Sequence, residues 1–265
     1  MITGWPRKIF GSKSNPPVVF LHGFLGDKQD WEYLVGSFAA DYYCIFPDLP
    51  GHGENRQPLP DEPLSFRWLA KGLKQLLIEL DLTATHLVGY SMGGRIALYF
   101  TIQYPKMVKS LTLESASPGL EDRLARRDRR LLDEQRAAFI LDQGLDSFID
   151  QWYQMPLFAS LQRNKALQER LKKRRNMNDP QAVARVVAEL SPGCQPSLWR
   201  KLYAIQSPVL LIAGALDTPY LTMMNQMFVA LPDAKLKIAP GAGHNTHLEA
   251  PEWYLKSAKV FLDSL

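Results

Sequence analysis

Gly89-Tyr90-Ser91-Met92-Gly93-Gly94 follows directly on the apolar run His86-Leu87-Val88, and this junction limits what the chain can fold into more than any other segment. A strand that stops at a G-x-S-x-G turn and runs on into helix-forming residues must change direction within a few positions. Small residues on both sides of the Ser let it do so without a clash. The turn holds the Ser hydroxyl in open space. The helix expected next, over Arg95 to Tyr104, aims its N-terminal amides and the positive end of its dipole at the same point, where developing negative charge is favoured.

Other strand signals are short, apolar, β-branched runs bounded by turn residues. They are Pro17–Leu21, Tyr42–Phe46, Thr85–Val88, Ser110–Leu113, Pro208–Ile212 and Lys235–Ile238. Helical periodicity lies between most of them, as over Phe66–Leu80 and Thr222–Leu231. Strands alternating with helices predict an α/β fold with a mostly parallel sheet covered on both faces. Between Ser115 and about Tyr203 the strand signals stop, and helical patterns such as Asp122–Leu145 and Asn164–Arg175 replace them. The expected organisation is a core built from residues 1–114 and 203–265, with a helical cap inserted over 115–202.

Composition excludes several classes. An apolar share of 46% suits an ordinary soluble globule. No apolar run approaches the ~20 residues needed to span a bilayer. The two cysteines, Cys44 and Cys194, are too few for a disulfide framework, which leads to the expectation of a reduced, cytoplasmic protein. From Glu121 to Arg175 there are 13 Lys+Arg against 9 Asp+Glu, a surplus equal to the +4 net charge of the whole chain. Such a surplus can serve nucleic acid, an acidic membrane surface or an anionic small molecule; the acids are interleaved with the bases, which argues against nucleic acid, and most of these side chains read as a solvated helix surface.

A Ser hydroxyl needs a neighbouring His to take its proton. Of the five His, His244 is the best placed. It follows Pro240-Gly241-Ala242-Gly243, a loop after the last strand signal, and sites in open α/β sheets form at the carboxyl ends of strands. His247 is expected to pack or to face the surface. The His in turn needs a carboxylate to fix its tautomer. Asp217, just after the Pro208–Ile212 run, and Glu114, after Ser110–Leu113, are the two candidates, and the order Ser…Asp…His favours Asp217. The turn His22-Gly23-Phe24 ends the first strong strand, where the N–H groups of Phe24 and Met92 could together bind an oxyanion. Asp48-Leu49-Pro50-Gly51-His52-Gly53 forms a further loop on this edge and reads as structural.

Taken together these segments resemble the α/β-hydrolase family along nearly the whole chain. That fold hosts many chemistries. Finer features, Ser91-Met92-Gly93-Gly94-Arg95, Met155-Pro156-Leu157-Phe158, Arg174-Arg175-Asn176-Met177-Asn178 and Gly243-His244-Asn245-Thr246-His247-Leu248-Glu249-Ala250-Pro251, are similar to the 2-succinyl-6-hydroxy-2,4-cyclohexadiene-1-carboxylate (SHCHC) synthases of menaquinone and phylloquinone biosynthesis. The resemblance implies a lyase that eliminates pyruvate from a substrate bearing several carboxylates, with no metal or cofactor. It also implies a substrate site of Arg95, Arg129, Arg174, Tyr90 and Trp152. Arg129 competes in register with Arg126, Arg127 and Arg130, and Arg174 with Arg175. A serine hydrolase using Ser91 as a covalent nucleophile is the alternative, and a binding module on the same fold would show a broken triad.

Overall fold

The computed structural model describes residues 4–265. Seven strands form one sheet: β1 (Arg7–Phe10), β2 (Pro17–Leu21), β3 (Tyr43–Pro47), β4 (Thr85–Tyr90), β5 (Val108–Glu114), β6 (Val209–Gly214) and β7 (Ala234–Ala239). Their spatial order is β1-β3-β2-β4-β5-β6-β7. Only β1 runs antiparallel, pairing Arg7 with Pro47 and Phe10 with Cys44. The lysine-bearing run Arg7-Lys8-Ile9-Phe10 is too short and too polar to have stood out in the sequence as a strand. From β2 the chain first lays β3 on one side, then returns to lay β4 on the other. The crevice between β2 and β4 is therefore the point where winding reverses, and ligands bind at such a point in open sheets.

Every residue of β2, β3, β4 and β6 is buried, as parallel strands covered on both faces require. The two-residue period sorts their side chains into two cores. Val19, Leu21, Ile45, Leu87, Leu111 and Leu211 pack under α1 (Phe66–Glu79) and α2 (Met92–Gln103). Val18, Phe20, Phe46, Val88, Leu210 and Ile212 pack against Trp31, Phe38 and the C-terminal helix Pro251–Asp263 on the other face.

Between β5 and β6 the described residues contain helices and no strand. They include α3 (Arg123–Gln143), α4 (Leu145–Gln154), α5 (Lys165–Arg175) and α6 (Pro180–Glu189). Three of the four N-termini carry side-chain caps: Asp122 accepts from Ala125 N, Asn164 from Leu167 N and Asp179 from Ala182 N. The single helix expected over Asp122–Leu145 is two. Gly144 sits at φ 89°, ψ 158°, a positive-φ conformation essentially confined to glycine, which ends α3 and lets α4 start in a new direction. These helices bury a third core of Ile140, Phe148, Ile149, Tyr153, Leu171 and Val187, closed from below by Leu25. Among the described residues no helix is long and apolar enough to cross a membrane.

Candidate active site

Helix α2 starts at Met92, one residue after the Ser, rather than at Arg95 as the periodicity suggested. Ser91 is its N-cap and is held at φ 48°, ψ −109°, a backbone region that costs a non-Gly residue of order 1–3 kcal/mol. The surrounding chain enforces it. The Ser91 amide donates to Glu114 O on β5 at 2.9 Å, and Arg95 N closes the first helical turn on Ser91 O at 3.0 Å. A Cβ at Gly89 would lie 2.6 Å from Gly94 Cα, and one at Gly93 would overlap the Leu21 and His22 carbonyls. The elbow therefore fits between β2 and the start of α2 only with glycine at both places.

The structure brings Ser91, His244 and Asp217 into one line. His244 Nδ1 stands 2.7 Å from Asp217 Oδ2, and Nε2 stands 3.2 Å from Ser91 Oγ. The carboxylate holds the ring proton on Nδ1, which leaves Nε2 to accept from the hydroxyl. Asp217 is buried at the end of β6 and His244 in the loop after β7. That loop is fixed by Glu249, whose two carboxylate oxygens accept from the amides of Gly243 and Asn245 on either side of the His. Tyr220, in the helix after Asp217, lays its ring 4.5 Å from that of His244.

Glu114, the competing acid, is engaged elsewhere. It accepts from the amide and the Nδ1 of His247, and His247 is buried with its ring stacked on Trp31 at 4.4 Å. His22 accepts from Leu49 N, and Asp48 accepts from Lys28 Nζ and N. The Asp48 loop is thus a structural brace. Burial pushes His22 down to about 4 and His52 down to about 3, so both rings are neutral at physiological pH.

Above Ser91 lies a cavity of about 340 Å³ between the sheet edge and the helical insertion. Phe24, Tyr90, Met92, Arg95, Arg129 and Trp152 all line it. Met92 is the first residue of α2, so its amide has no intrahelical acceptor. Phe24 follows Gly23, where a Cβ would lie 2.6 Å from the Tyr90 ring. Arg95 reaches up from α2, donating through Nη1 to Leu190 O at 2.8 Å and to Gln195 Oε1 at 3.3 Å. Burial lowers it to about 10, and it keeps its charge at neutral pH.

The cation expected at Arg174 is a correction. Arg174 does not line the cavity; its side chain turns to Asp27 and Asp30 beneath α5. Its neighbour Arg175 does line it, held by both oxygens of Asp30 at 2.9 Å. One position along a helix rotates a side chain by about 100°, and the sequence alone left the two adjacent arginines unresolved. Sequence reasoning also missed Arg136, Asp133, Ser191 and Tyr153, which share the lining. The heptad-like spacing Arg129-x-x-x-Asp133-x-x-Arg136 places all three side chains on one face of α3 and was the available signal. Among the described residues no group of His, Cys, Asp and Glu is arranged to hold a metal ion.

A strand–elbow–helix Ser, a loop His and a strand-end Asp converging at the switch point of a parallel sheet define an α/β-hydrolase. A profile described as the alpha/beta hydrolase fold matches residues 16–251. Within that class the chain belongs to the SHCHC synthase family. It is 37% identical over 256 residues to a Bacillus subtilis protein provisionally named 2-succinyl-6-hydroxy-2,4-cyclohexadiene-1-carboxylate synthase, covering 96% of this chain and 93% of that one. It is 32% identical to the synthase of that name from Enterobacter sp. strain 638, covering 91% and 89%. The structure of MenH from S. aureus superposes with a TM-score of 0.93 at 32% identity over 99% of this chain and 98% of that one.

Proposed function

We propose that this chain catalyses the reaction for which its relatives are named, eliminating pyruvate from 2-succinyl-5-enolpyruvyl-6-hydroxy-3-cyclohexene-1-carboxylate to leave SHCHC, and that Ser91, His244 and Asp217 perform it. The observation that carries this reading is the hydrogen-bonded line from Ser91 through His244 to Asp217 at the floor of an arginine-lined cavity. A substrate with several carboxylates needs cations in an enclosed site, and guanidinium forks bind carboxylates in pairs of hydrogen bonds.

In this mechanism His244, oriented by Asp217, takes the Ser91 proton as Ser91 Oγ removes the ring proton at C2, beside the succinyl carbonyl. The amides of Phe24 and Met92 stabilise the enolate oxygen that forms. The electron pair returns to the ring as a C2=C3 bond, the C3=C4 bond moves to C4=C5, and the C5–O bond breaks. The leaving enolpyruvate takes up a proton at carbon to become pyruvate. Ser91 acts as a base, and no acyl-enzyme forms. Arg95, Arg129, Tyr90 and Trp152 hold the substrate, and residues 115–202 form the cap that shields it from water. A cytoplasmic location fits the small anionic substrate.

Pyruvate release from freshly generated substrate, with wild type beside Ser91→Ala, tests this. We expect release above the spontaneous background that falls about a thousandfold in the mutant. Full activity in Ser91→Ala would refute the role of Ser91. Turnover of simple aryl esters without pyruvate release would replace the lyase with a serine hydrolase using the same triad.

A further inference from the structure

Charge balance among the cavity arginines points beyond the positions that the family resemblance supplies. Arg175 is matched by Asp30, which accepts its Nη2 through both oxygens. Arg95 has only neutral acceptors and the Phe66 ring among the described residues. Arg129 and Arg136 share one carboxylate: Asp133 accepts from Arg129 Nε at 2.8 Å and from Arg136 Nη1 at 2.7 Å. Two positive charges therefore face the cavity without a carboxylate of their own, one at Arg95 and one at the Arg129–Asp133–Arg136 cluster. Leaving a buried cation unmatched costs a protein stability. Arg95 is such a buried cation, the Arg129–Asp133–Arg136 cluster adds a half-buried one, and two positive charges at one cavity fit a ligand that brings two anions.

The second charge is placed by Arg136. Asp133 is 1% exposed and also accepts from Ser191 Oγ at 2.6 Å, so the carboxylate is pinned between α3 and the loop after α6. It cannot swing away from the arginines it orients. The Arg136 guanidinium stacks over the Trp152 ring at 5.3 Å, and among the described residues its Nη2 meets only the thioether of Met155, at 3.2 Å. A thioether is a weak acceptor that an incoming carboxylate displaces readily. Trp152 in turn packs edge-on to Phe24 at 5.2 Å. Arg136 thus stands on the Trp152–Met155 wall, while Arg95 is anchored on the Leu190–Gln195 wall.

We propose that Arg136, oriented by Asp133 and stacked on Trp152, forms a second carboxylate subsite, separate from the one at Arg95, and selects for dicarboxylate over monocarboxylate ligands. The inference rests on the cavity being the substrate site described above. Asp133 is the positioning residue and Arg136 the specificity residue.

Calorimetric binding separates the two ideas, because it requires no turnover. The probes are 4-(2-carboxyphenyl)-4-oxobutanoate, an aromatic diacid, and its two monomethyl esters. Wild type is expected to bind the diacid about tenfold or more tighter than either ester, since each lost ionic contact is worth at least ~1.4 kcal/mol. Arg136→Met is expected to weaken the diacid about tenfold while leaving one of the two esters within about twofold. That ester identifies the carboxylate which Arg136 reads. Arg136→Met leaves Asp133 paired with Arg129 and Ser191, so no buried charge is orphaned. Arg136→Lys keeps the charge but not the fork and should show the same selective loss, smaller in size. Equal weakening of the diacid and both esters, or no weakening, overturns the subsite while the proposed function stands. Failure of wild type to bind the diacid at all also overturns the subsite, while the proposed function is decided separately by pyruvate release.

Discussion

Glu114 and His247 are joined twice: the carboxylate accepts from the His247 amide at 3.0 Å and from its Nδ1 at 2.9 Å, with both residues fully buried. The backbone carbonyl of the same Glu holds the Ser91 amide. One residue thus ties the Ser91 elbow to the segment that follows His244, through its main chain on one side and its side chain on the other. Its carboxylate meets His247, while Asp217 is the acid on His244 Nδ1, so the two do not compete for the His244 ring. The two carboxylates should separate cleanly on mutation. Asp217→Asn should lower kcat by about 10³–10⁴-fold with little change in melting temperature, since tautomer control is lost but the packing is not. Glu114→Ala should do the reverse, destabilising the fold by about 2–5 kcal/mol as two buried donors lose their acceptor and reducing activity less. Pyruvate release and thermal melts on the two variants check this, and an exchange of the two phenotypes would reassign the acid.

Arg95 is buried without an ion-pair partner among the described residues, and burial already lowers its pKa to about 10. Under the proposed function, a charge in that position serves the ligand at the expense of the fold. Arg95→Met should therefore raise KM by about 10²-fold, through loss of a charge-assisted fork worth ~2–3 kcal/mol, and leave the melting temperature unchanged or higher. A variant that loses activity and stability together would mean that the guanidinium braces Leu190 and Gln195 rather than serving substrate.

The Gly93→Ala substitution tests the elbow itself. The added Cβ would overlap the carbonyls of Leu21 and His22, and both are backbone, so neither can turn aside. The strand β2 would have to separate from the start of α2, at a cost of about 3 kcal/mol or more by analogy with overpacked cores. Reduced soluble yield and a lowered melting temperature are expected, and a stable, fully active Gly93→Ala protein would show that the strained turn is not fixed by this contact.

The triad residues were legible because each is tied to a strand end, and strand ends are marked by short apolar runs with Gly and Pro beside them. Ser91, Asp217 and His244 needed no knowledge of how distant helices pack. The insertion was legible as helical but not in its facing. Helix α3 is largely exposed, with Leu124, Leu131 and Leu141 open to solvent, so hydrophobic periodicity did not reveal which of its arginines turn inward. What decides that is Asp133, a buried acid on an otherwise polar surface, and a single Asp carries no local signature of burial. The exchange of Arg175 for Arg174 has the same origin: Asp27 and Asp30, far earlier in the chain, pair with both arginines, and the packing of α5 over them leaves Arg175 at the cavity. The break at Gly144 and the antiparallel β1 depend on tertiary pairing in the same way.

Three buried imidazoles give the chain a defined acid sensitivity. Burial holds His22 and His86 down to about 4 and His52 down to about 3, whereas the same rings in the unfolded chain protonate near 6.5. Between those values the unfolded state binds protons that the folded state refuses, so the stability gained by keeping the rings neutral is fully present above about pH 6.5 and is lost progressively as the pH falls toward about 4, with His52 continuing toward about 3. Thermal melts should show a flat melting temperature from about pH 7 to 8 and a fall that begins near pH 6.5, ahead of most carboxylate protonation. His86 is the ring to remove, because its side chain hydrogen-bonds the Ser110 hydroxyl, which a Gln amide can also meet. His86→Gln should make the decline between about pH 6.5 and 5 shallower. An unchanged slope in that variant would place the sensitivity on His22 and His52 alone, and a melting temperature that stays level down to about pH 4.5 would show that none of the three rings is kept neutral by the fold.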